Sequence, residues 1–159
     1  MQRPIKDRYD EQPEAARITL AADGSLEDDI ACSVQTGQAL VKAGLHPGTG
    51  GDGTLACSGD MLLQALVACA GVTMRSVATS IGLEVTGAVH AEGDLDWRGT
   101  LAVDKEAPVG FTDIRLRFEL ESTASEEELE TLRRLTERYC VVFQTLAASP
   151  NLSVSMNRS

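Results

Sequence analysis

The segment from Met61 to Met74 is the most apolar part of the chain, and its need for cover limits what the rest can fold into. Gln64 interrupts it, Arg75 follows it, and it falls short of the roughly 20 apolar residues that cross a bilayer. Helix-favouring residues extend from Ser58, a suitable N-cap, to Ile81, and Gly82 stands where helices commonly end. Apolar residues lie on every side of this helix. We therefore predict a central helix that is covered on most sides.

Composition and charge fit a single globular domain. The 159 residues are 43% hydrophobic, and single domains peak at roughly 100 to 150 residues. The net charge of −10 repels a phosphate backbone, so we expect no nucleic-acid partner. The charged N-terminus lacks the apolar run of a secretory signal. We expect one cytoplasmic domain over residues 1–159, with no membrane partner and with residues 1–14 as an N-terminal arm.

Strands are predicted before the central helix. Ala16 to Ala22 and Asp29 to Thr36 are predicted to form a hairpin around the turn-forming Asp23-Gly24-Ser25. Gln38 to Ala43 is a candidate third strand. The segment from Ala43 to Gly53 contains five glycines and a proline, which predicts a loop.

Further strands and a second helix are predicted after the central helix. Leu83 to Trp97 is a candidate strand, and Thr112 to Ser122 alternates apolar with charged residues, so one face of its sheet meets water. Ser125 and Glu128 form the capping box of a helix. Leu152 to Met156 alternates again and predicts a closing strand. This order predicts an α+β fold with helices packed on an antiparallel sheet.

The cysteines are the residues with metal or redox chemistry. Cys32, Cys57, Cys69 and Cys140 are never closer than twelve residues, and no close Cys or His pair supplies paired ligands. We therefore expect no metal. Cys32 alternates with apolar residues in a strand, as a core residue does. Cys57 precedes the helix, where backbone dipoles lower a thiol pKa, but it lies some 18 Å axially from Cys69, beyond the roughly 7 Å limit of a disulfide.

The residue pattern leaves the roles of Cys69 and Cys140 open. Composition alone makes Cys69 a core residue of the central helix. Polar residues change to apolar ones at Cys140. If the capped helix breaks there, Cys140 begins a new helical turn and gains thiolate character, and if the helix continues, Cys140 is buried. His46 in the glycine-rich loop and His90 in a strand are either solvated or position a substrate.

Three segments carry a family resemblance: GDGTLACSGDMLLQALVACAGVTMRSVA from Gly51, GDLDWRGTLAVDKEAPVGFTDIRLRF from Gly93, and ERYCVVFQTL from Glu137. They resemble the osmotically inducible protein C (OsmC) and organic hydroperoxide resistance (Ohr) superfamily over roughly residues 43–157. In that family a Cys in the central helix is the peroxidatic thiol, and a Cys that starts a late helical segment resolves it. Cys69 and Cys140 occupy these places, although Cys140-Val141 stands where the family usually has Cys-Pro.

The resemblance implies an OsmC-like fold, with an antiparallel sheet packed on a long central helix and an intertwined homodimer. It also implies a thiol-dependent peroxidase that reduces small organic hydroperoxides, with a cellular dithiol as reductant and no metal, flavin or haem. The alternative is a non-enzymatic OsmC-like domain that binds an apolar ligand or acts as a slow redox sensor. A purely structural partner protein is a third possibility.

The chain departs from the family pattern around the thiol. The family's central helix usually opens with Pro-Glu ten residues before the first Cys, and that glutamate holds an arginine over the thiolate. Here the same register has Ser58-Gly59, with Asp60 one place later, which makes Asp60 a candidate catalytic residue. The hairpin that supplies the arginine has no basic residue from Asp23 to Asp29, and Arg8 and Arg17 are the nearest substitutes.

Overall fold

The computed structural model describes residue 11 and residues 23–26, 31–36 and 39–158, with a continuous account of side chains over residues 41–158. One sheet contains four strands: β1 (Asp23–Leu26), β2 (Ala31–Thr36), β3 (Ala39–Gly44) and β4 (Ala56–Cys57). A second sheet pairs β5 (Thr86–Asp94) with β6 (Asp113–Glu121). The helices are α1 (Ser58–Ile81), α2 (Trp97–Thr100), α3 (Glu126–Tyr139) and α4 (Val141–Ala147). This arrangement confirms the predicted α+β class.

The first sheet leads directly into the central helix. Its strands follow the order β1-β2-β3-β4, with antiparallel pairs except for the parallel pair of β3 and β4. In that last pair Cys57 lies opposite Gly44. Cys57 is also the N-cap of α1, one residue before the predicted Ser58, and its side chain makes no capping hydrogen bond. The sheet edge thus fixes where α1 begins.

The central helix α1 spans 24 residues and ends at Gly82, whose left-handed φ of 75° favours glycine, as predicted. Five residues line its buried side: Leu66, Ala70, Met74, Val77 and Ala78. The helix packs against α3, β5 and α4. The prediction that it is covered on most sides is wrong for the single chain, because only these five of its 24 residues are buried and Val72 remains 73% exposed.

The whole of α1 is longer than the apolar segment that the sequence singled out. By length and composition alone it is long enough and apolar enough to cross a membrane. Its buried residues nevertheless form the core of the domain, in which Met74, Val77 and Ala78 meet Val85 and Leu132. A core helix of a globular domain passes the same test of length and composition.

The second sheet shows the predicted alternation. The apolar residues of β6 are half-buried and its charged residues exposed. Phe118 and Leu120 pack against the core, while Arg115 on the opposite face pairs with Asp94. The β5 strand ends before Trp97, which the sequence placed in a strand, because Asp96 caps the short helix α2 there by accepting a hydrogen bond from the amide of Arg98.

The capping box that opens α3 is present as predicted, with reciprocal hydrogen bonds between Ser125 and Glu128. The helix ends at Tyr139, and Cys140 takes extended backbone angles (φ −74°, ψ 109°) before α4 begins. Of the two alternatives for this position, the structure shows the helix break. The side-chain amide of Gln144 donates to the carbonyl of Glu137 across the break (2.8 Å) and holds the two helices together.

Two strand predictions near the termini are wrong. Asp23-Gly24-Ser25 is part of β1 rather than a turn, because pairing with β2 overrides the turn preference of these residues. Leu152 to Met156 forms no strand in the described chain, and these residues are exposed. A strand needs a partner edge, and none of the described strands pairs with this segment. The predicted strand Ala16 to Ala22 and most of the N-terminal arm lie outside the described residues.

Candidate functional site: a pair of adjacent thiols

The structure brings Cys69 and Cys140 together, although 70 residues separate them in the sequence. Cys69 lies in the middle of α1 and is half-buried. Cys140 joins α3 to α4 and continues a buried row in which Leu132, Thr136 and Cys140 follow at four-residue steps. Residues four apart lie on one face of a helix, so the row that packs α3 against the core also carries Cys140 inward. Each thiol shifts the pKa of the other, so the two side chains are neighbours.

The environment of Cys69 favours its thiolate. Burial by itself would raise the pKa of this thiol. Hydrogen bonds from the amide of Val142, the thiol of Cys140, the amide of Val141 and the hydroxyl of Thr73 outweigh burial, and the net pKa of Cys69 is below its ordinary value. The two amides begin α4, where the first N–H groups have no partner within the helix. Cys69 therefore gains thiolate character from uncharged donors.

Cys140 has the opposite character. Burial is the largest cause that raises its pKa, and the neighbouring Cys69 raises it further, while the amides of Phe143 and Val142 oppose the shift. Cys140 is 1% exposed, although the change from polar to apolar residues at this position predicts a partly accessible sulfur. The helix does break at Cys140, but the thiol does not gain the thiolate character expected of a break. Cys140 continues the buried row of Leu132 and Thr136, and this burial raises its pKa. Cys140 is the less acidic thiol of the pair.

Two adjacent thiols of unequal acidity can perform a two-step reaction. The more acidic sulfur is the nucleophile, since a thiolate and not a thiol attacks electrophiles. The protonated neighbour is close enough to condense with an oxidised form of the first. This division of roles follows from Cys69 and Cys140 alone.

Asp60, the carboxylate considered for activation of the Cys69 thiol, lies away from the two cysteines within one chain. Asp60 is exposed in the first turn of α1, nine residues from Cys69, which is about 13 Å along the helix axis. Within one chain this spacing puts Asp60 away from the thiol, and its role as a catalytic residue stays a prediction. Arg8 and Arg17 lie outside the described residues. Within the part of the chain that the structure describes, no charged side chain contributes to the pKa of Cys69.

The remaining Cys and His candidates lie elsewhere. His46 stacks on Trp97 with ring centroids 5.1 Å apart, and its Nδ1 accepts a hydrogen bond from the amide of Gly48. His46, Trp97 and Cys57 line a cavity of about 380 Å³ at the start of α1. His90 faces Glu119 on the exposed side of the second sheet, at 3.7 Å. The side chain of Cys32 lies outside the described residues.

The described residues contain no candidate metal site. Among the described residues, no group of three or more His, Cys, Asp or Glu side chains is arranged to hold a metal ion. The expectation that the protein uses no metal remains a prediction.

Sequence reasoning missed the donors around Cys69. Thr73 stands four residues after Cys69, which places both on one helix face, and this spacing was a usable signal. The amides of Val141 and Val142 were harder to find. They point at Cys69 only because the break at Cys140 is packed against α1, and no local pattern predicts that contact.

These features define a class of protein: an α+β domain with one thiol in its central helix and a second thiol at a late helix break. The chain belongs to the OsmC-like protein family, whose model matches residues 51–155. No match was found among the curated proteins.

Solved structures share the fold at low sequence identity. An OsmC-like protein from Mycoplasma pneumoniae is 17% identical with a TM-score of 0.70, over 83% of this chain and 89% of that one. An OsmC-like protein of unknown function from Vibrio cholerae is 13% identical with a TM-score of 0.62, over 81% and 94%. An organic hydroperoxide resistance protein OsmC from Legionella pneumophila is 17% identical with a TM-score of 0.59, over 82% and 90%. The family and fold expected from the resemblance are thereby confirmed.

Proposed function

We propose that this protein is a thiol-dependent peroxidase that reduces small organic hydroperoxides, with Cys69 as the peroxidatic thiol and Cys140 as the resolving thiol. The observation that carries the proposal is the contact between two thiols whose pKa values move in opposite directions, down at Cys69 and up at Cys140. Membership of the OsmC-like family and the hydroperoxide resistance protein among the structural neighbours agree with this reaction.

The reaction follows from the two environments. The Cys69 thiolate attacks the distal oxygen of the hydroperoxide, an S–O bond forms, the O–O bond breaks, and the alkoxide takes a proton to leave as an alcohol. Cys69 is then a neutral sulfenic acid, so its thiolate no longer raises the pKa of Cys140. Cys140 can now lose its proton and attack the Cys69 sulfur, which releases water and forms a disulfide. A cellular dithiol reopens the disulfide by exchange and is itself oxidised.

The working form of the protein is proposed to be a homodimer. Val72 on α1 is 73% exposed, although it lies on the helix that carries the core. Leu152, Val154 and Met156 form an alternating apolar row that is 84–96% exposed. An alternating row of this kind is typical of a strand with one covered face. A second copy of the chain supplies cover for both surfaces.

Stopped-flow oxidation of the reduced protein tests the proposed reaction. Cumene hydroperoxide should oxidise Cys69 faster than it oxidises a free cysteine at the same pH, and faster than hydrogen peroxide oxidises Cys69. The Cys69→Ser variant should lose the fast phase, whereas Cys57→Ser is the matched control and should retain it. A wild-type rate equal to that of a free thiol would refute the peroxidase.

One observation favours the second candidate function, a slow redox sensor or a non-enzymatic domain that binds an apolar ligand. Within residues 41–158, the donors around Cys69 are all uncharged, so no cation contributes to its lowered pKa. A sensor would form the same disulfide at the rate of an ordinary thiol. The stopped-flow rate therefore separates the two functions.

A further inference from the structure

We propose that the hydroxyl group of Thr73 activates Cys69 by donating a hydrogen bond to its thiolate. This role deepens the proposed peroxidase function and rests on it, because it assigns part of the activation of the attacking sulfur to a residue of α1 itself. Thr73 touches the reacting atom and is a catalytic residue in that sense.

Helix geometry brings the two side chains together. Thr73 follows Cys69 by four residues, or just over one turn, on the uninterrupted helix α1. Every Cα–Cβ bond of a helix tilts toward the N-terminus, so the Thr73 side chain leans back over the turn that carries Cys69. Both residues are half-buried, which limits the competition from water for this hydroxyl.

The Thr73 hydroxyl differs from four other helical hydroxyls of the described chain. A helical Ser or Thr commonly donates to the backbone carbonyl three or four residues earlier. Four helical residues do so here: Thr79, Ser80, Thr136 and Thr145. Among the described residues, no such bond to a backbone carbonyl is made by the Thr73 hydroxyl, which instead lowers the pKa of Cys69. Its place one turn after Cys69 on the same helix leaves this hydroxyl in reach of the thiolate.

The groups around Cys69 are uncharged, so a hydroxyl donor can contribute to the stability of its thiolate. The contacting groups are the amides of Val141 and Val142 from α4, the thiol of Cys140 from the helix junction, and Thr73 from α1. Cys140 is the one titratable group among them, and none carries a formal charge while Cys140 keeps its proton. In surroundings without a nearby cation, the thiolate depends on these uncharged donors together, and Thr73 is the donor that α1 itself supplies.

Thr73 also borders open space. It lines a cavity of about 590 Å³ between α1 and α3, together with Val72, Leu135 and Tyr139. Apolar and hydroxyl-bearing side chains both line this cavity, which suits a hydroperoxide that has an apolar body. Thr73 therefore lies beside both the helix turn of Cys69 and a space that such a molecule can enter.

The test is the pH dependence of alkylation by iodoacetamide, followed at Cys69 by mass spectrometry of the intact full-length protein. Thr73→Val keeps the shape of the side chain and removes the donor. It should move the midpoint for Cys69 upward by about one pH unit and slow its alkylation at pH 7 about tenfold. Thr73→Ser restores the donor and should return the profile toward wild type. Thr79→Val, in the same helix, is the matched control and should leave the profile unchanged.

A wild-type profile in Thr73→Val would overturn the proposal. If that variant does not fold, as judged by circular dichroism, Thr73→Ala takes its place and the same comparison decides. The outcome is independent of the peroxidase. A shifted alkylation profile with no fast peroxide reaction in the wild type would support the role of Thr73 and refute the peroxidase. A fast peroxide reaction in the wild type with an unshifted profile in Thr73→Val would support the peroxidase and refute the role of Thr73.

Discussion

At the scale of single residues, the site depends on how two chemically identical thiols become different. Cys69 is half-buried and Cys140 is buried, and burial raises the pKa of each. Cys69 receives enough hydrogen bonds to reverse that effect, whereas Cys140 does not. The positions of a few N–H and O–H donors therefore decide which of the two thiols is the more acidic and is proposed to attack the peroxide.

The amide of Val141 offers a clean test of one donor. Val141 is the first residue of α4, where proline is well accepted because its missing N–H has no partner within the helix. Cys140 already has the extended backbone that a residue before proline requires. Val141→Pro should thus remove one hydrogen bond to Cys69 and leave α4 intact.

The sign of the Val141→Pro effect follows from the lowered pKa of Cys69. The thiolate is present above the folded pKa and is lost as the pH falls through it. Removing a donor raises that pKa, so alkylation of Cys69 at pH 7 should slow about tenfold. Val141→Ala keeps the N–H and should behave as wild type. Identical profiles for the proline and alanine variants would show that this amide does not act on Cys69.

At the scale of secondary structure, the sequence predicted elements with strong local signals. The alternation in β6, the capping box at Ser125 and the glycine end of α1 were each visible in a few consecutive residues. Elements that depend on a distant partner were predicted less well. The Asp23-Gly24-Ser25 segment has turn residues yet forms a strand because β2 lies beside it.

The capping box provides a prediction for α3. Ser125 accepts from the amide of Glu128 at 3.3 Å, and the Glu128 carboxylate accepts from the amide of Ser125 at 2.8 Å. Ser125→Ala should lower the free energy of unfolding by about 1 kcal/mol, measured by urea denaturation at fixed protein concentration. Ser149→Ala, beyond the end of α4, is the control and should change it little. Equal stability of the two variants would contradict the role of the cap.

The candidate site was predictable to the level of its two cysteines. Family resemblance indicated Cys69 and Cys140, but the residue pattern alone left both open. The helix break at Cys140 was one of two predicted alternatives, but the burial of the Cys140 sulfur at that break was not predicted. The spacing of Leu132, Thr136 and Cys140 buries the sulfur, and that effect requires knowing which face of α3 packs on α1.

At the scale of the whole molecule, the single chain leaves apolar surface that a globular protein normally covers. The exposed Val72 side of the central helix and the C-terminal apolar row are the main examples. Apolar residues lie on every side of α1, but the fold of one chain buries only one side of this helix.

Two valines of equal exposure test the proposed homodimer. Val72 on α1 is 73% exposed, and Val103, in the loop after α2, is 72% exposed. Wild-type protein should sediment at twice the chain mass of 16.9 kDa. Val72→Glu should shift it toward the monomer, because a buried unpaired charge is costly, whereas Val103→Glu should not. A wild-type monomer, or equal behaviour of the two variants, would contradict an interface on α1.

The most direct test of the central claim is peptide mapping of the protein after treatment with one equivalent of cumene hydroperoxide. A disulfide between Cys69 and Cys140 of one chain should form, with Cys32 and Cys57 left as free thiols. Cys140→Ser should instead accumulate sulfenic acid at Cys69, and excess peroxide should drive it on to sulfinic acid. A disulfide that includes Cys57, or four free thiols after treatment of the wild type, would contradict the account.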